Sequence, residues 1–548
     1  MLPRPTLKDL QEISEEYNLN ISDDKLHFYM SKRRMINRLN ELVSLIWNFT
    51  NIETVEHNLE GIKEVSAWKS PLDDEKHKYG NRPFHRATPQ ENPYNAWHHI
   101  CNIKGGQNED QSQLLANKKL AVKDNIFIGM VPLMNGSRTL EGFVPECDAT
   151  VVERILNHGG TIVGNVTCEN LCLSGASFNT TYGPVRNPWN PNYSAGGSSS
   201  GSGVVVAVGD VDMALGGDQA GSIRIPSSSC GIVGLKPTYG LVPYTGIISI
   251  VRAIDHVGPM ARNVTDCARL LTAIAGFDDG KDDRQPSTGF QPADYLAEVN
   301  AARSGVLRIG ILKEGFEGCD DVIIDCIQNA IELIKSSNHF AEVTEVSIPD
   351  HSKASAPFFS PILFYATQDQ LIDGCGYGCS VSGVLSSALS EKMCDGLRSH
   401  GHTLHDLAKQ LIVSSAYVKK YCGHTKYSSY AKAQTWFWHI GKAYNKALEK
   451  FDVLLMPTLP VLPIKIPSPD APIREVMAAG ANLIKNTAPF DLTHHPAITL
   501  NAGYDNETNL PIGLQLVGRL WDDATVLKAA KLIEDSLDEL QKPFNFTI

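Results

Sequence analysis

Two loops rich in serine and glycine constrain the fold of this 548-residue chain more than any other feature. They occupy residues 196–203 and 216–222, and an apolar run at 204–208 separates them. Glycine permits positive φ and close backbone approach, so such loops bring hydroxyls and free N–H groups against a ligand. The loops therefore predict a ligand site built from backbone and hydroxyl groups.

The stretch around these loops carries ordered motifs rather than an isolated Ser/Gly cluster. The first loop reads GGSSSGS from residue 196, and the second reads GDQAGSIRIP from residue 217 and continues to a Cys-Gly pair at 230–231. AVKDN lies upstream at 121–125, and GLKPT follows at 234–238. In this order and spacing the segments resemble the amidase signature family. The likeness spans roughly residues 90 to 535 and is nearest to free-standing amidases of nitrile-degrading pathways.

The resemblance implies a catalytic unit of two serines and a lysine. By motif position, Ser222 is the nucleophile, Ser198 the bridging serine after a cis peptide bond, and Lys123 the base. A base must be neutral, and a solvated lysine is a cation at neutral pH, so the mechanism requires Lys123 to be buried without a carboxylate partner. Asp124 follows it directly, but successive side chains of an extended segment point to opposite faces. Asp124 is therefore not assigned as a counter-ion.

The resemblance also implies an oxyanion site in the second loop. The residues assigned to oxyanion or substrate binding are Gln219, Ala220, Gly221 and Ser199, together with the N–H of Ser222. Asp218 and Arg224 are expected to support this loop. Ala220 and Ser200 stand where the family usually has glycine. If position 220 requires positive φ, alanine costs about 1–2 kcal/mol there.

Two other interpretations of the glycine-rich loops are weaker. Residues 197–201 satisfy G-x-S-x-G, which would make Ser199 the nucleophile of an α/β-hydrolase elbow. The elbow requires a strand immediately before it, whereas residues 187–193 have the composition of a loop. A nucleotide-binding loop fails in the same way and also lacks a Walker lysine.

The predicted activity is that of an amidohydrolase. It cleaves small carboxamides to a carboxylate and ammonia or an amine through a serine acyl-enzyme. Carbamate esters are an alternative substrate class, because the same chemistry cleaves them. A second alternative is the amidase subunit of a tRNA-dependent amidotransferase, which works with a partner and takes its amino group from glutamine.

Alternating helix and strand patterns predict an α/β fold. The expected architecture is one large α/β/α layered domain with a mixed, twisted central sheet, at residues 91–548, preceded by a helical extension and linker at 1–90. An apolar helical face runs from residue 26 to 46 in that extension. The run at 204–208 favours a strand by propensity, but the resemblance places it in a helix. Residues 350–450 are expected to cover the substrate pocket, with aromatic side chains such as Phe359 and Tyr365 lining it.

Composition excludes several classes of partner. A net charge of −12 argues against a nucleic-acid surface, and no apolar run reaches transmembrane length. No secretory signal is recognised, so a cytoplasmic location and reduced thiols are expected. A homodimer is expected as well. Cys168-x3-Cys172 and Cys375-x3-Cys379 lack a histidine pair at zinc-site spacing, so neither a metal nor a cofactor is predicted.

Overall fold

A computed structural model describes residues 7–16, 18–23, 25, 65, 81–106, 113–286, 290–301, 307–337, 339–376, 383–421, 423–479, 482–542, 544 and 546. Within these residues, twelve strands form one mixed sheet in the order β1-β2-β4-β3-β5-β7-β6-β11-β12-β10-β8-β9. The strands are β1 (Phe84–Arg86), β2 (Trp97–Lys104), β3 (Lys119–Lys123), β4 (Thr161–Val166), β5 (Met213–Asp218), β6 (Val233–Lys236), β7 (His256–Ala261), β8 (Leu307–Leu312), β9 (Phe340–Val346), β10 (Val453–Pro457), β11 (Ala497–Tyr504) and β12 (Pro511–Val517).

Helices surround this sheet. They are α1 (Leu7–Glu16), α2 (Thr150–Asn157), α3 (Ser200–Ala207), α4 (Arg224–Cys230), α5 (Val264–Ile274), α6 (Tyr295–Asn300), α7 (Asp321–Ser336), α8 (Ala356–Ala366), α9 (Ser387–His400), α10 (Asp406–Tyr421), α11 (Gly423–Lys450), α12 (Ile473–Ala479), α13 (Ala488–Leu492) and α14 (Asp523–Ser536). The predicted α/β class and mixed central sheet are confirmed. None of the helices in the described ranges is long and apolar enough to cross a membrane.

The middle of the sheet positions the candidate site. Strand β3 runs parallel to both β4 and β5, with Val122 opposite Leu215. Lys123 is the last residue of β3, and Asp218 is the last residue of β5. Because parallel strands end at the same edge, both residues lie at one carboxyl edge of the sheet, where ligands bind in open α/β folds.

The apolar run after the first loop is helical, as the resemblance implied. Helix α3 contains Val204, Val205 and Val206, and every residue of the helix is buried. A side chain at Gly201 would come within 2.4 Å of the Ala96 carbonyl oxygen, so only glycine lets this helix lie so close to the chain entering β2. Tertiary packing therefore overrides the strand propensity of the valines.

The N-terminal helix packs against the rest of the chain. Leu10 and Ile13 of α1 are buried, and the Asn18 side chain donates a 2.7 Å hydrogen bond to the carbonyl of Arg398 at the end of α9. The predicted helix at 26–46 lies outside the described residues. The boundary near residue 90 stays a prediction, and β1, which precedes it, pairs with β2 in the main sheet.

One cysteine prediction is wrong. Cys375 and Cys394 form a disulfide, with Cα atoms 5.8 Å apart, whereas reduced thiols were expected throughout. The two cysteines are 19 positions apart in the sequence. The disulfide therefore depends on α9 folding back beside the turn that follows α8. Sequence reasoning had considered Cys375 only together with its near neighbour Cys379, which lies outside the described residues.

Candidate active site

Lys123 and Ser198 form the buried centre of the site. The Lys123 Nζ donates a 2.8 Å hydrogen bond to the Ser198 Oγ and a longer one, 3.4 Å, to the carbonyl of Gly217. Both side chains are completely buried, and the peptide bond between Gly197 and Ser198 is cis, as the resemblance implied. The lysine and the first loop, 75 residues apart, are thus joined at the edge of β3.

Ser222 lies at a slightly open point of the second loop. Its residue is 7% exposed, whereas Ser198 and Ser199 are fully buried. The Ser222 carbonyl accepts a 3.3 Å hydrogen bond from the N–H of Ser199, which ties the two loops together. Among the described residues, no side-chain hydrogen bond joins Ser198 to Ser222. Catalytic hydrogen bonds are often long in substrate-free enzymes and tighten when substrate binds.

The Ser199 hydroxyl is occupied by hydrogen bonds to the backbone. Its Oγ donates to the carbonyl of Gly217 at 3.1 Å and accepts from the Gly217 N–H at 3.2 Å. The residues before it form no strand, and a helix begins at the next residue, Ser200. The strand–elbow–helix arrangement that would make Ser199 a nucleophile is therefore absent from this described segment.

Asp218 and Arg224 hold the second loop from within. The Arg224 Nε and Nη2 each donate a 3.0 Å hydrogen bond to Asp218, and Nη2 also reaches Asp491 at 2.7 Å. Its Nη1 donates to the carbonyl of Thr487 and to the side chain of Gln515. Burial raises the pKa of Asp218, but the charge and hydrogen bonds of Arg224 outweigh it and hold that pKa below its usual range.

The backbone N–H groups of this loop are not equivalent. The Gly221 N–H donates a 2.5 Å hydrogen bond to the Asp218 side chain, so it already has an acceptor. Among the described residues, the N–H groups of Gln219, Ala220 and Ser222 have none. Positive φ falls on Gly221, at 131°, and not on Ala220, so the alanine carries no backbone strain. A side chain at Gly221 would also collide with Thr487, at 2.4 Å.

Glu169 supports the first loop, and sequence reasoning missed it. Its N–H donates to the Ser198 carbonyl at 3.4 Å, and its carboxyl accepts from the Asn179 N–H at 2.8 Å and the Ser200 Oγ at 3.3 Å. Burial raises the pKa of this carboxyl well above its ordinary range, against the opposing effects of its hydrogen bonds and of Lys123. Burial therefore favours the neutral form of this carboxyl, which lies within electrostatic reach of Lys123. Ser200, the departure from the usual glycine, supplies one of its partners.

Two neighbouring cysteines also lie beside the lysine. Burial raises the pKa of Cys172, but a hydrogen bond from Cys168 and the charge of Lys123 bring it below its ordinary value, while the pKa of Cys168 lies well above. The Cys172 Sγ donates to the Asn135 side chain at 3.3 Å. Sequence reasoning had considered this pair only as metal ligands. Among the described residues, no three His, Cys, Asp or Glu side chains are grouped to hold a metal ion.

The residues expected to line the acyl pocket are deeply packed. Phe359 and Tyr365 of α8 are 1% and 6% exposed, and the ring of Phe358 stacks on that of Trp436 of α11 with centroids 3.9 Å apart. The pocket role of Phe359 and Tyr365 stays a prediction.

Next to the second loop lies a small apolar cluster that was not anticipated. Its buried members are Ala176, Phe178, Ile225, Leu459 and Leu483.

Comparison with known proteins identifies the family. The amidase family model matches residues 95–527, which contain all the groups described above. The chain belongs to the amidase family. Membership in this family makes it a hydrolase of amide C–N bonds.

Individual relatives agree with this assignment. The chain is 42% identical to an enantioselective amidase of Rhodococcus rhodochrous, over 82% of this chain and 85% of that protein. It is 34% identical to a subunit of the glutamyl-tRNA(Gln) amidotransferase of Methanosarcina mazei, over 77% of this chain and 85% of the relative. The crystal structure of the corresponding Thermotoga maritima protein superposes with a TM-score of 0.62 at 28% identity, covering 78% and 84% of the two chains.

Proposed function

We propose that the enzyme hydrolyses small carboxamides through an acyl-enzyme on Ser222, with Ser198 and Lys123 moving the proton. The observation that carries the proposal is the 2.8 Å hydrogen bond between the buried Lys123 and Ser198, beside a loop whose one slightly open hydroxyl is that of Ser222. In this proposal Lys123 is the base, and it accepts a proton through Ser198 as the Ser222 oxygen attacks the carbonyl carbon.

The second loop stabilises the charge that develops on the substrate oxygen. The N–H groups of Gln219, Ala220 and Ser222 are the candidate donors, because the Gly221 N–H serves Asp218. Collapse of the tetrahedral intermediate breaks the C–N bond, and the proton held by Lys123 returns through Ser198 to the leaving nitrogen. Water then repeats the attack on the acyl-enzyme and releases the carboxylate.

Fluorophosphonate labelling with peptide mapping tests the nucleophile. We expect the label on Ser222, and no amide turnover by Ser222→Ala. Lys123→Arg should also be inactive on amides, because a guanidinium stays protonated. Exhaustive EDTA treatment should leave activity intact. A label on Ser199, with Ser222→Ala still active, would refute the assignment.

Substrate class, assembly and location belong to the same proposal. A panel of aliphatic amides, aryl amides and ethyl carbamate separates carboxamide from carbamate hydrolysis, since both proceed through the same acyl-enzyme. We further propose a homodimer, which light scattering on the purified enzyme tests. A cytoplasmic location is checked by cell fractionation.

A role within an amidotransferase complex is the second candidate. It is favoured by relatives such as the Methanosarcina mazei protein, which is 34% identical. The higher identity to the Rhodococcus rhodochrous amidase, over a larger share of this chain, favours a free-standing enzyme. Glutaminase activity that appears only after partner subunits are added would support the second candidate instead.

A further inference from the structure

The side chain of Gln219 has one satisfied end and one unsatisfied end. Its Nε2 donates a 3.0 Å hydrogen bond to the hydroxyl of Tyr244. Its Oε1 is buried, and among the residues that the structure describes it has no donor. The residue is 4% exposed, so the unsatisfied oxygen lies inside the protein rather than on an open surface.

The orientation of this amide follows from its partner. The Tyr244 hydroxyl donates to the carbonyl of Ile248 at 3.5 Å, so it presents a lone pair to Gln219 and requires a donor there. In this arrangement the hydroxyl hydrogen is directed to Ile248, and the Gln219 Nε2 donates to the hydroxyl oxygen. Nε2 therefore faces Tyr244, and Oε1 faces away from it.

Tyr244 is a firm anchor. The Arg284 guanidinium lies 4.2 Å from the centroid of the Tyr244 ring, and the backbone N–H of Tyr244 donates to the Asp282 side chain at 2.8 Å. The hydroxyl stays protonated, because burial raises its pKa well above the ordinary value. An anchor of this kind keeps the Gln219 side chain in one orientation with or without substrate.

Gln219 lies at the start of the nucleophile loop. It directly follows Asp218, the last residue of β5, and precedes Ser222 by three positions. The carbonyl of Ala220 accepts a 2.5 Å hydrogen bond from Thr487, and that of Gly217 accepts from Lys123. The loop is therefore fixed on both sides of Gln219, which holds the unsatisfied Oε1 within the segment that carries Ser222.

We propose that the Gln219 Oε1 accepts an N–H from the nitrogen of the scissile carboxamide and thereby selects amides over esters of the same acid. This inference rests on the proposed hydrolysis at Ser222. An ester has no N–H to donate to the Gln219 Oε1, so its binding leaves this buried acceptor unpaired. An amide satisfies it, and the held N–H turns the nitrogen lone pair toward the Ser198 hydroxyl that protonates the leaving group.

Benzamide and methyl benzoate, which form one and the same acyl-enzyme, test the inference. Gln219→Leu should lower kcat/KM on benzamide by about 10- to 100-fold and on methyl benzoate by less than about threefold, because only the amide loses a hydrogen bond. Tyr244→Phe should shift the ratio in the same direction by a smaller factor, since it frees the anchored Nε2. Equal losses on both substrates, or no loss, would overturn the inference.

A buried glutamine elsewhere serves as the matched control. Gln285 is 6% exposed, but its amide has partners at both ends, namely the Asp278 N–H and the carbonyls of Gly240 and Gly276. Gln285→Leu should leave the amide-to-ester ratio unchanged. Normal fluorophosphonate labelling of Ser222 in Gln219→Leu shows that the catalytic unit is intact. A wild-type enzyme that neither labels at Ser222 nor cleaves benzamide or its ester would overturn the proposed function itself.

Discussion

The two loops rich in serine and glycine and the helical region at 356–450 are built on different principles. In the loops, most polar side chains are buried and paired; one arginine, for example, bonds two carboxylates, an amide and a carbonyl. The helical region is joined to the site by apolar packing and by single polar contacts, such as the 2.7 Å hydrogen bond from the His405 N–H to Asn170. Hydrogen-bond geometry dictates residue identity, whereas apolar packing requires only volume and shape. The first region should therefore tolerate substitution far less than the second.

Arg224 offers the largest expected effect. Arg224→Met removes the guanidinium that bonds Asp218 and Asp491 inside the protein, and breaking a buried ion pair costs about 3–5 kcal/mol. Urea unfolding should show this loss in the free energy of unfolding. Arg224→Lys should recover only part of it, because an ammonium cannot reproduce the guanidinium fork.

The exposed pair of Lys313 with Glu345 is the control for that measurement. Lys313→Gln should leave the urea midpoint unchanged, since exposed ion pairs contribute little. A change for Arg224→Met as small as that for Lys313→Gln would remove the distinction between the two regions.

Glu169 is expected to have an intermediate effect that depends on pH. Its carboxyl is protonated below its raised pKa and becomes a carboxylate as the pH rises through that value. A carboxylate beside Lys123 would favour the ammonium and stop it from accepting a proton. Glu169→Gln should therefore remain active and keep its activity at pH values above the raised pKa of Glu169, where the wild type declines. Profiles of kcat/KM against pH for both enzymes provide the measurement.

Two further variants separate charge from support. Glu169→Ala removes the partner of Asn179 and Ser200 and should lose about tenfold in kcat/KM at all pH values. Ser200→Gly, which restores the residue usual in the family, should weaken the same support by less. Identical pH profiles for Glu169→Gln and the wild type would contradict a neutral carboxyl beside the lysine.

The smallest effect is expected in the helical region. If Phe359 lines the acyl pocket, Phe359→Leu should change the ratio of kcat/KM for large and small acyl groups by a few-fold, in line with the ~1–3 kcal/mol that methylene-sized changes contribute in apolar pockets. A series of aliphatic amides of increasing chain length measures this ratio. Phe451→Leu is the matched control, because Phe451 is also buried, at 6% exposed, and packs against Gly310 of β8. Uniform changes across the series for both variants would return Phe359 to a purely structural role.

Sequence alone was informative where chemistry is local. The motifs around Ser198 and Ser222 predicted the two loops, the helix between them, the buried lysine and the cis peptide bond. Some of these features are local, such as the positive φ of Gly221, which glycine adopts readily. The α/β class was equally accessible, because strand and helix periodicity are also local properties.

Tertiary structure decided how these parts are partnered. Arg224 meets Asp491 across 267 positions, Lys123 meets Ser198 across 75, and Gln219 meets Tyr244 across 25. No periodicity in a single sequence encodes such distances, so the buried Glu169, the contact of Arg224 with Asp491 and the Cys375–Cys394 disulfide could not be foreseen. The residue types that the chemistry requires could thus be identified in the sequence. The protonation, hydrogen-bond partners and orientation of their side chains depend on burial beside distant segments, which only the folded sheet brings together.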